Sequence, residues 1–452
     1  MTIQSQGLLL RSLSFAILCL LWVTMMSVTL VESDAYRYSA IMLIVFGMVT
    51  LPDPGSFLKD RLSVLCMAAG AYAFLRFAVD VLVFREKGAS EWLYGFPLLF
   101  PLLGLALYKT WELIPRIVLA FFAIALALLA ASTQWSVIIS GERAYPLFHH
   151  NPIHGAVGCG FLFIGAFYWA MHYVEQSASK STTRLIFLIA FAVMLFSVVN
   201  IYGSKSKGVW LAMAPVLLST LFFCVGRRQT KAFKYILGLV AGAFAIGFLA
   251  VSDNLRVVAG STISTLLAIG AQLFSGREIS GTLDAAIASQ TTPGSLNERL
   301  QLWSNALEVI HHSPVWGSGA GWLTLWKAAP YQTVHYTLLH NGYLEILVRH
   351  GVLGLSLYTL ILLMMLRRLL DAKRRGAISS STLVCAITFV VYFCVTIFTN
   401  SNNRLALGES FVLLFSAFTF AATWREHVRN LNQKTSTCIN MDDIAKPHEV
   451  RA

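Results

Sequence analysis

The chain has 452 residues, 57% of them hydrophobic and 12% charged, and a formal net charge of +12. No soluble protein of this size keeps so much apolar surface from water, so an ordinary soluble enzyme is excluded. The basic surplus is distributed by topology and is not the single basic face of a nucleic-acid binder.

Apolar runs long enough to cross about 30 Å of hydrocarbon as helices recur along the chain. They fall near residues 12–31, 37–52, 62–83, 94–108, 115–138, 155–174, 185–203, 208–226, 235–252, 342–366, 382–400 and 408–424. The first is too long for a signal-peptide core, has no small-residue cleavage site after it, and reads as a retained span. The second and fourth are short, and Pro97 and Pro101 disturb the fourth. The expected fold is an all-α integral membrane protein of about twelve transmembrane helices with one long helix-containing loop. Residues 1–252 hold the first nine spans, 253–341 the loop, 342–424 the last three spans and 425–452 a tail.

Connections alternate between the two membrane faces. One set holds most of the basic residues, among them Arg227, Arg228, Lys231 and Lys234, and Arg367, Arg368, Lys373, Arg374 and Arg375. That excess marks the cytoplasmic face, puts both termini inside and leaves the long loop outside. Cys19, Cys66, Cys159, Cys224, Cys385 and Cys394 all fall within spans, so no disulfide framework is implied.

Within the loop, residues 257–274 are apolar enough to be mistaken for a span. Counting them would turn the downstream basic clusters outward, so they read as a helix at the interface. Ser295 and Glu298 have capping-box spacing, and Leu296, Leu300, Trp303, Leu307 and Ile310 follow at helical intervals. This amphipathic helix should end near His312 to Pro314, and GSGAG, residues 317–321, reads as a flexible turn.

Three sets of residues on the outer side carry chemistry. SKSKG, residues 204–208, opens the eighth span, where Lys205 and Lys207 meet the positive end of a helix. Such an end suits a phosphate-like anion. The same string also reads as a solvated loop with its lysines among lipid headgroups, and it lacks the Walker spacing. Arg299 lies one turn before Trp303 and shares its compartment with Arg256 and Arg277. These cations suit a pyrophosphate, against the plainer reading of a surface arginine lying on apolar neighbours. In HNGYLE, residues 340–345, Asn341 suits a helix cap, and a positive helix end disfavours imidazolium at His340. His340 should then be neutral near pH 7 and able to accept a proton, unless it is only a structural cap. Glu345, one turn inside the membrane edge, needs a partner.

Two features read more plainly. Arg76 and Asp80, spaced i,i+4 in the third span, form a structural ion pair. HHNPIH, residues 149–154, orders the entry to the sixth span; no metal is expected there, and no cofactor anywhere.

The three sets, in this order, resemble the O-antigen ligase and polymerase superfamily. Ser206, Lys207, Gly208 and Trp210 match its hydroxyl-basic-glycine motif, although the family usually has arginine at Lys207. Arg299 and Trp303, then Pro314, Gly317 and Gly319, match its loop helix and P-x-x-G-x-G turn. His340, Asn341, Tyr343, Leu344 and Glu345, then Gly351 and Gly354, match H-N-x-Y-L-E and a later G-x-x-G. The resemblance implies a GT-C-like glycosyltransferase of the bacterial inner membrane, acting at the periplasmic face. Its donor would be a glycan on undecaprenyl pyrophosphate and its acceptor a sugar hydroxyl of lipid A–core, among membrane lipids and without nucleic acid. Lys205, Lys207, Arg256, Arg277 and Arg299 would neutralise the pyrophosphate without metal, since the outside loops hold no DxD-type acidic pair. His340 would be the base, with Asn341 or Glu345 orienting it or the acceptor. A polymerase joining two lipid-linked glycans is the nearest rival. A transporter fits less well, because the polar residues gather at one face and not at the midplane.

Overall fold

The computed structural model describes residues 3–50, 59–87, 91–176, 179–225, 242 and 260–444. The expected ninth span (235–252), apart from residue 242, and Arg256 lie outside them. The described residues are all helical apart from turns and one isolated bridge between Val31 and Phe148. The chain is an all-α, multi-pass membrane protein. Among the described residues nine helices are long and apolar enough to cross a bilayer.

In chain order, α1 (Ile3–Met26) and α2 (Ala35–Val49) come first, followed by α3 (Arg61–Leu82). A 3-10 segment, Glu91–Leu99, runs into α4 (Phe100–Lys109), the tighter turns falling where Pro97 removes a backbone donor. Next are α5 (Ile114–Ser132), the short α6 (Trp135–Ile139), α7 (Pro152–Glu175), α8 (Lys180–Gly203) and α9 (Lys207–Val225). The loop contributes α10 (Gly260–Phe274), α11 (Ile279–Ala288), α12 (Gly294–His312) and the short α13 (Trp322–Trp326). The last three are α14 (Gly342–Arg374), α15 (Ser380–Thr399) and α16 (Ala406–Ile444).

α7 is the most deeply buried of the nine candidate spans. Its small residues explain how: a side chain on Gly158 would meet the carbonyl of Thr29, and one on Gly160 the phenol of Tyr392. Close backbone approach replaces the hydrophobic drive that lipid removes. Tyr392 completes the contact by donating to the Val157 carbonyl at 3.1 Å, which fixes α15 against α7.

α14 is broken at Gly351, which takes φ 62° and ψ −165°. Gly351 reaches this left-handed region without a Cβ penalty. The break frees backbone groups inside an apolar setting, where each must find another partner. The loop turn supplies them. Val352 N–H donates to Pro314 O (2.9 Å), Leu353 N–H to Val315 O (3.0 Å), and Ser318 N–H to Val348 O (2.8 Å). From α3, Arg76 donates to the carbonyls of Trp316 and Gly317, while Asp80 accepts from Ala320 N–H. The expectation of a flexible GSGAG turn is therefore corrected. Arg76 and Asp80 both reach across to clamp that turn and are not simply an internal pair.

From Gly260 onward the loop packs around two apolar clusters. Leu302, Ala306 and Val309 of α12 cluster with Trp322, Trp326, Leu339 and Val348. Ile269 of α10 packs with Leu283, Leu296 and Leu300. α12 ends at His312 as expected, but its start differs. Pro293 is the N-cap, without a side-chain bond, so Ser295 already lies inside the helix and no capping box forms. Proline's fixed φ begins the helix before the serine can cap it.

Candidate functional site

At the start of α9 the two lysines part. Lys205, at φ 50°, bonds the carbonyl of Gly141, beside Arg143, which donates to Ser204 O at 2.9 Å. It is thus spent on the 141–143 connection. Lys207 reaches the other way, its ammonium donating to Thr262 Oγ1 of α10 at 2.9 Å. Gly208 lets the helix end abut Thr399, whose hydroxyl a Cβ there would strike. Arg299 of α12 donates to the carbonyl of the same Thr399 at 3.0 Å. Lys207 and Arg299 consequently lie within electrostatic reach of each other. Arg277 is exposed at the end of α10 and donates to Gln272 at 3.2 Å, apart from this pair.

Among the described residues neither Lys207 nor Arg299 has a carboxylate partner. The contrast with other arginines is direct: Arg37 pairs with Asp34 and Glu409, Arg368 with Asp60, and Arg349 with Glu91 and Glu345. Two adjacent cations, neither with a carboxylate partner among the described residues, leave a local excess of positive charge beside a membrane span.

His340 sits beside them, in the left-handed region at φ 50°, with Trp303 Nε1 donating to the carbonyl of the preceding Leu339 at 3.0 Å. Its Nδ1 meets Asn400 Oδ1 at 2.8 Å. The direction of that bond follows from the far end of a chain. Asn402 Nδ2 contacts the Thr396 carbonyl at 3.4 Å, and a carbonyl can only accept. Asn402 thus turns its Oδ1 to Asn400 Nδ2, at 2.8 Å, leaving Asn400 Oδ1 to accept from His340. His340 Nδ1 carries the hydrogen, and Nε2 keeps its lone pair. Burial, reinforced by the nearby Arg299 charge and opposed by the bond to Asn400, holds the imidazole below its ordinary pKa. Neutral His340 is the form able to accept a proton.

Asn341 caps α14, its Oδ1 accepting from the backbone of Tyr343 (3.0 Å) and Leu344 (3.3 Å). The anticipated partner of Glu345 is a pair of arginines: Arg349 Nη1 at 2.6 Å and Arg404 Nη1 at 3.2 Å. Its other oxygen accepts from Leu339 N–H (2.9 Å) and Ser401 Oγ (2.8 Å). Those residues precede His340 and follow Asn400, so Glu345 staples together the two strands of chain that carry the imidazole and its partner. Arg349 also bonds Glu91 at 3.1 Å and lies 4.2 Å over the Trp322 ring. Two acids and two arginines thereby balance in a buried quartet.

Sequence reading passed over Asn400, Asn402, Glu91, Arg349 and Arg404. Arg349 had a signal: a charge inside an apolar run, i,i+4 from Glu345. In the histidine string, Asn151 caps α7 by accepting from Ile153 N–H at 2.8 Å, as an ordering role requires. His149 is buried and pulled down to about 4 by desolvation. His154 lies within electrostatic reach of His340.

Residues 189–359 match the protein family described as O-antigen ligase. The exopolysaccharide production protein ExoQ of Rhizobium meliloti (strain 1021) is 25% identical over 257 residues. That likeness covers 53% of this chain and 54% of the relative, so the chain spans about half the length of the curated protein it matches.

Proposed function

Because the chain belongs to the O-antigen ligase and polymerase superfamily, we propose that it is the ligase of that pair. It moves a glycan from undecaprenyl pyrophosphate to a sugar hydroxyl of lipid A–core, at the periplasmic face of the bacterial inner membrane. The observation that carries this reading is the uncompensated pair, Lys207 and Arg299, beside a neutral His340.

In this mechanism Lys207 and Arg299 hold the donor's pyrophosphate. His340 Nε2 takes the proton of the acceptor hydroxyl, whose oxygen attacks the anomeric carbon from the face opposite the leaving group. The bond from that carbon to the phosphate oxygen breaks with inversion. The released pyrophosphate keeps the electron pair, and the two cations stabilise the charge it gains. Asn400 holds the imidazole in the tautomer this needs, and Glu345 positions it through the backbone. Lys205, spent on Gly141, and Arg277, apart from the pair, are left out of this step, Arg256 is proposed as a further donor contact, and Asn341 serves through the cap. The same reading takes twelve spans, adding 12–31, 37–52 and 235–252, with the GT-C-like organisation and the four segments set out above.

The test is transfer by purified protein, with a lipid-linked glycan and lipid A–core in detergent. His340→Ala should lose about 10²–10⁴ in rate, the usual worth of a general base. Near-normal transfer by that folded variant removes the base assignment. The relative named for exopolysaccharide production favours a second reading, polymerisation of lipid-linked glycans. A deletion strain separates the two: accumulated lipid-linked polymer supports the ligase, and accumulated single repeat units support the polymerase.

A further inference from the structure

The strap of chain that leads into His340, residues 331–339, has no helix or strand of its own and runs along α12. Asn305 Nδ2 donates to the Tyr331 carbonyl at 2.6 Å, and Asn305 Oδ1 accepts from Tyr331 N–H at 3.0 Å. Thr333 Oγ1 donates to Gln301 Oε1 at 2.7 Å, and the Tyr336 hydroxyl to Glu298 Oε2 at 3.0 Å. Asn305, Gln301 and Glu298 follow at helical spacing and so form one stripe of α12. These rungs lead the strap along that stripe and set Tyr336 beside His340. The two rings meet edge to face, with centroids 5.6 Å apart.

Tyr336 is 40% exposed, and Glu298 is exposed as well and lies within electrostatic reach of His340. The other oxygen of Glu298 accepts no hydrogen bond among the described residues. Arg299, the next residue along α12, turns instead to Thr399 on α15. The cation and the tyrosine therefore leave α12 toward different partners, and both end beside His340. Between Lys327 and Glu345 the chain carries no charged residue other than histidine. The carboxylate that Tyr336 bonds would repel a phosphate, but it suits hydroxyls, from which it accepts charge-assisted hydrogen bonds. An exposed tyrosine offers a flat apolar face at little entropic cost, and the C–H face of a pyranose covers such a face.

We propose that Tyr336 and Glu298 form the subsite for an uncharged acceptor sugar. The pyranose lies on the tyrosine ring, one of its hydroxyls donates to the other oxygen of Glu298, and the reacting hydroxyl reaches His340 Nε2. The subsite belongs to the acceptor because the donor's pyrophosphate goes to Lys207 and Arg299, and the attacking hydroxyl must come from the other side of the anomeric carbon. The inference rests on the transfer reaction proposed above and adds to it two residues that select the acceptor without being the base.

The test uses the full chain in detergent with two readouts: steady-state transfer, and binding of fluorescently labelled core oligosaccharide freed of its lipid. Tyr336→Ala should raise the acceptor KM and weaken oligosaccharide binding about tenfold, the upper worth of an aromatic face. Its kcat and its binding of a labelled lipid-linked donor should stay near native. Tyr336→Trp keeps a platform and should restore oligosaccharide binding, while Tyr336→Phe, which loses only the bond to Glu298, should weaken it less than Tyr336→Ala. Glu298→Gln can still accept from Tyr336, so the strap stays in place, and loss of the charge-assisted bond should weaken oligosaccharide binding about tenfold. If Tyr336→Ala does not fold, Glu298→Gln, exposed on its helix, carries the test. Dephosphorylated oligosaccharide should bind as well as the intact one. An unchanged acceptor KM in Tyr336→Ala, a fall in kcat alone, a loss of donor binding, or a loss of oligosaccharide binding on dephosphorylation would each overturn the subsite. The reaction is read separately. Oligosaccharide binding that depends on Tyr336, without any product, removes the ligase reading and leaves the subsite; product without such binding removes the subsite and leaves the reaction.

Discussion

The bond between His340 and Asn400 sets both the tautomer and the charge of the imidazole, and the two can be separated by substitution. Asn400→Ala removes the acceptor for Nδ1–H, so the ring is free to turn and kcat should fall while donor KM stays near its value. Asn400→Asp keeps an acceptor there but adds a negative charge, which stabilises imidazolium and raises its pKa. Protonated His340 cannot act as a base. With His340 as the proposed base, activity in the native protein should be lost on the acid side as pH falls through a pKa below the ordinary imidazole value. In Asn400→Asp that limb should move to higher pH. A pH profile unchanged in Asn400→Asp would remove the positioning role. Lys207 is tested by charge and geometry. Lys207→Ala should weaken donor binding by about 10–100-fold, the worth of a charged hydrogen bond of about 1.5–3 kcal/mol. Lys207→Arg should restore it, since a guanidinium offers two parallel bonds to phosphate. Binding of a labelled lipid-linked donor reads both.

At the scale of elements, the site exists because α14 starts and breaks where it does. Asn341 caps its first turn and Glu345 lies one turn below, and both were legible because capping and intramembrane charge have local signatures. The partner of His340 was not legible. Asn400 is 60 residues away at the end of α15, and an asparagine in a polar connection looks like any loop residue. The exchange between the turn at Pro314–Ser318 and the break at Gly351 was equally hidden, since backbone-to-backbone bonds leave no mark in side-chain chemistry. The glycines announced that something close-fitting happens there, but not what. The quartet predicts an asymmetric stability effect. Glu345→Gln leaves Arg349 and Arg404 with one carboxylate between them in a buried setting, and breaking such a pair costs about 3–5 kcal/mol. The thermal transition in detergent should fall accordingly, and transfer should fall with it because Leu339 and Ser401 lose their shared anchor. An unshifted transition would mean that the quartet contributes little.

For the whole molecule, the decisive question is which side each end of α14 faces. The part of α14 after its break at Gly351 extends about 35 Å, enough to cross the hydrocarbon, and the proposed topology puts His340 and Arg374 on opposite sides. The apolar start of the loop decides this topology. α10 would reverse everything after it if it were a span. Its contacts argue against that, since Thr262 bonds Lys207 at the head of α9 and Ile269 packs on α11 and α12 of the loop. Its outward side is apolar, with Leu267 and Phe274 exposed, as a helix resting on the membrane surface requires. The test needs two cysteines in a background whose native cysteines are replaced. Lys327→Cys, on the exposed far side of the loop, should react with a membrane-impermeant maleimide added to spheroplasts. Arg374→Cys, also exposed, should react only after the membrane is opened. If Arg374→Cys labels in intact spheroplasts and Lys327→Cys does not, the orientation is inverted. The cationic pair would then face the cytoplasm, where a lipid-linked glycan presented at the periplasmic face could not reach it. If both label in intact spheroplasts, α14 does not cross the membrane as a single span, and the count of twelve must change.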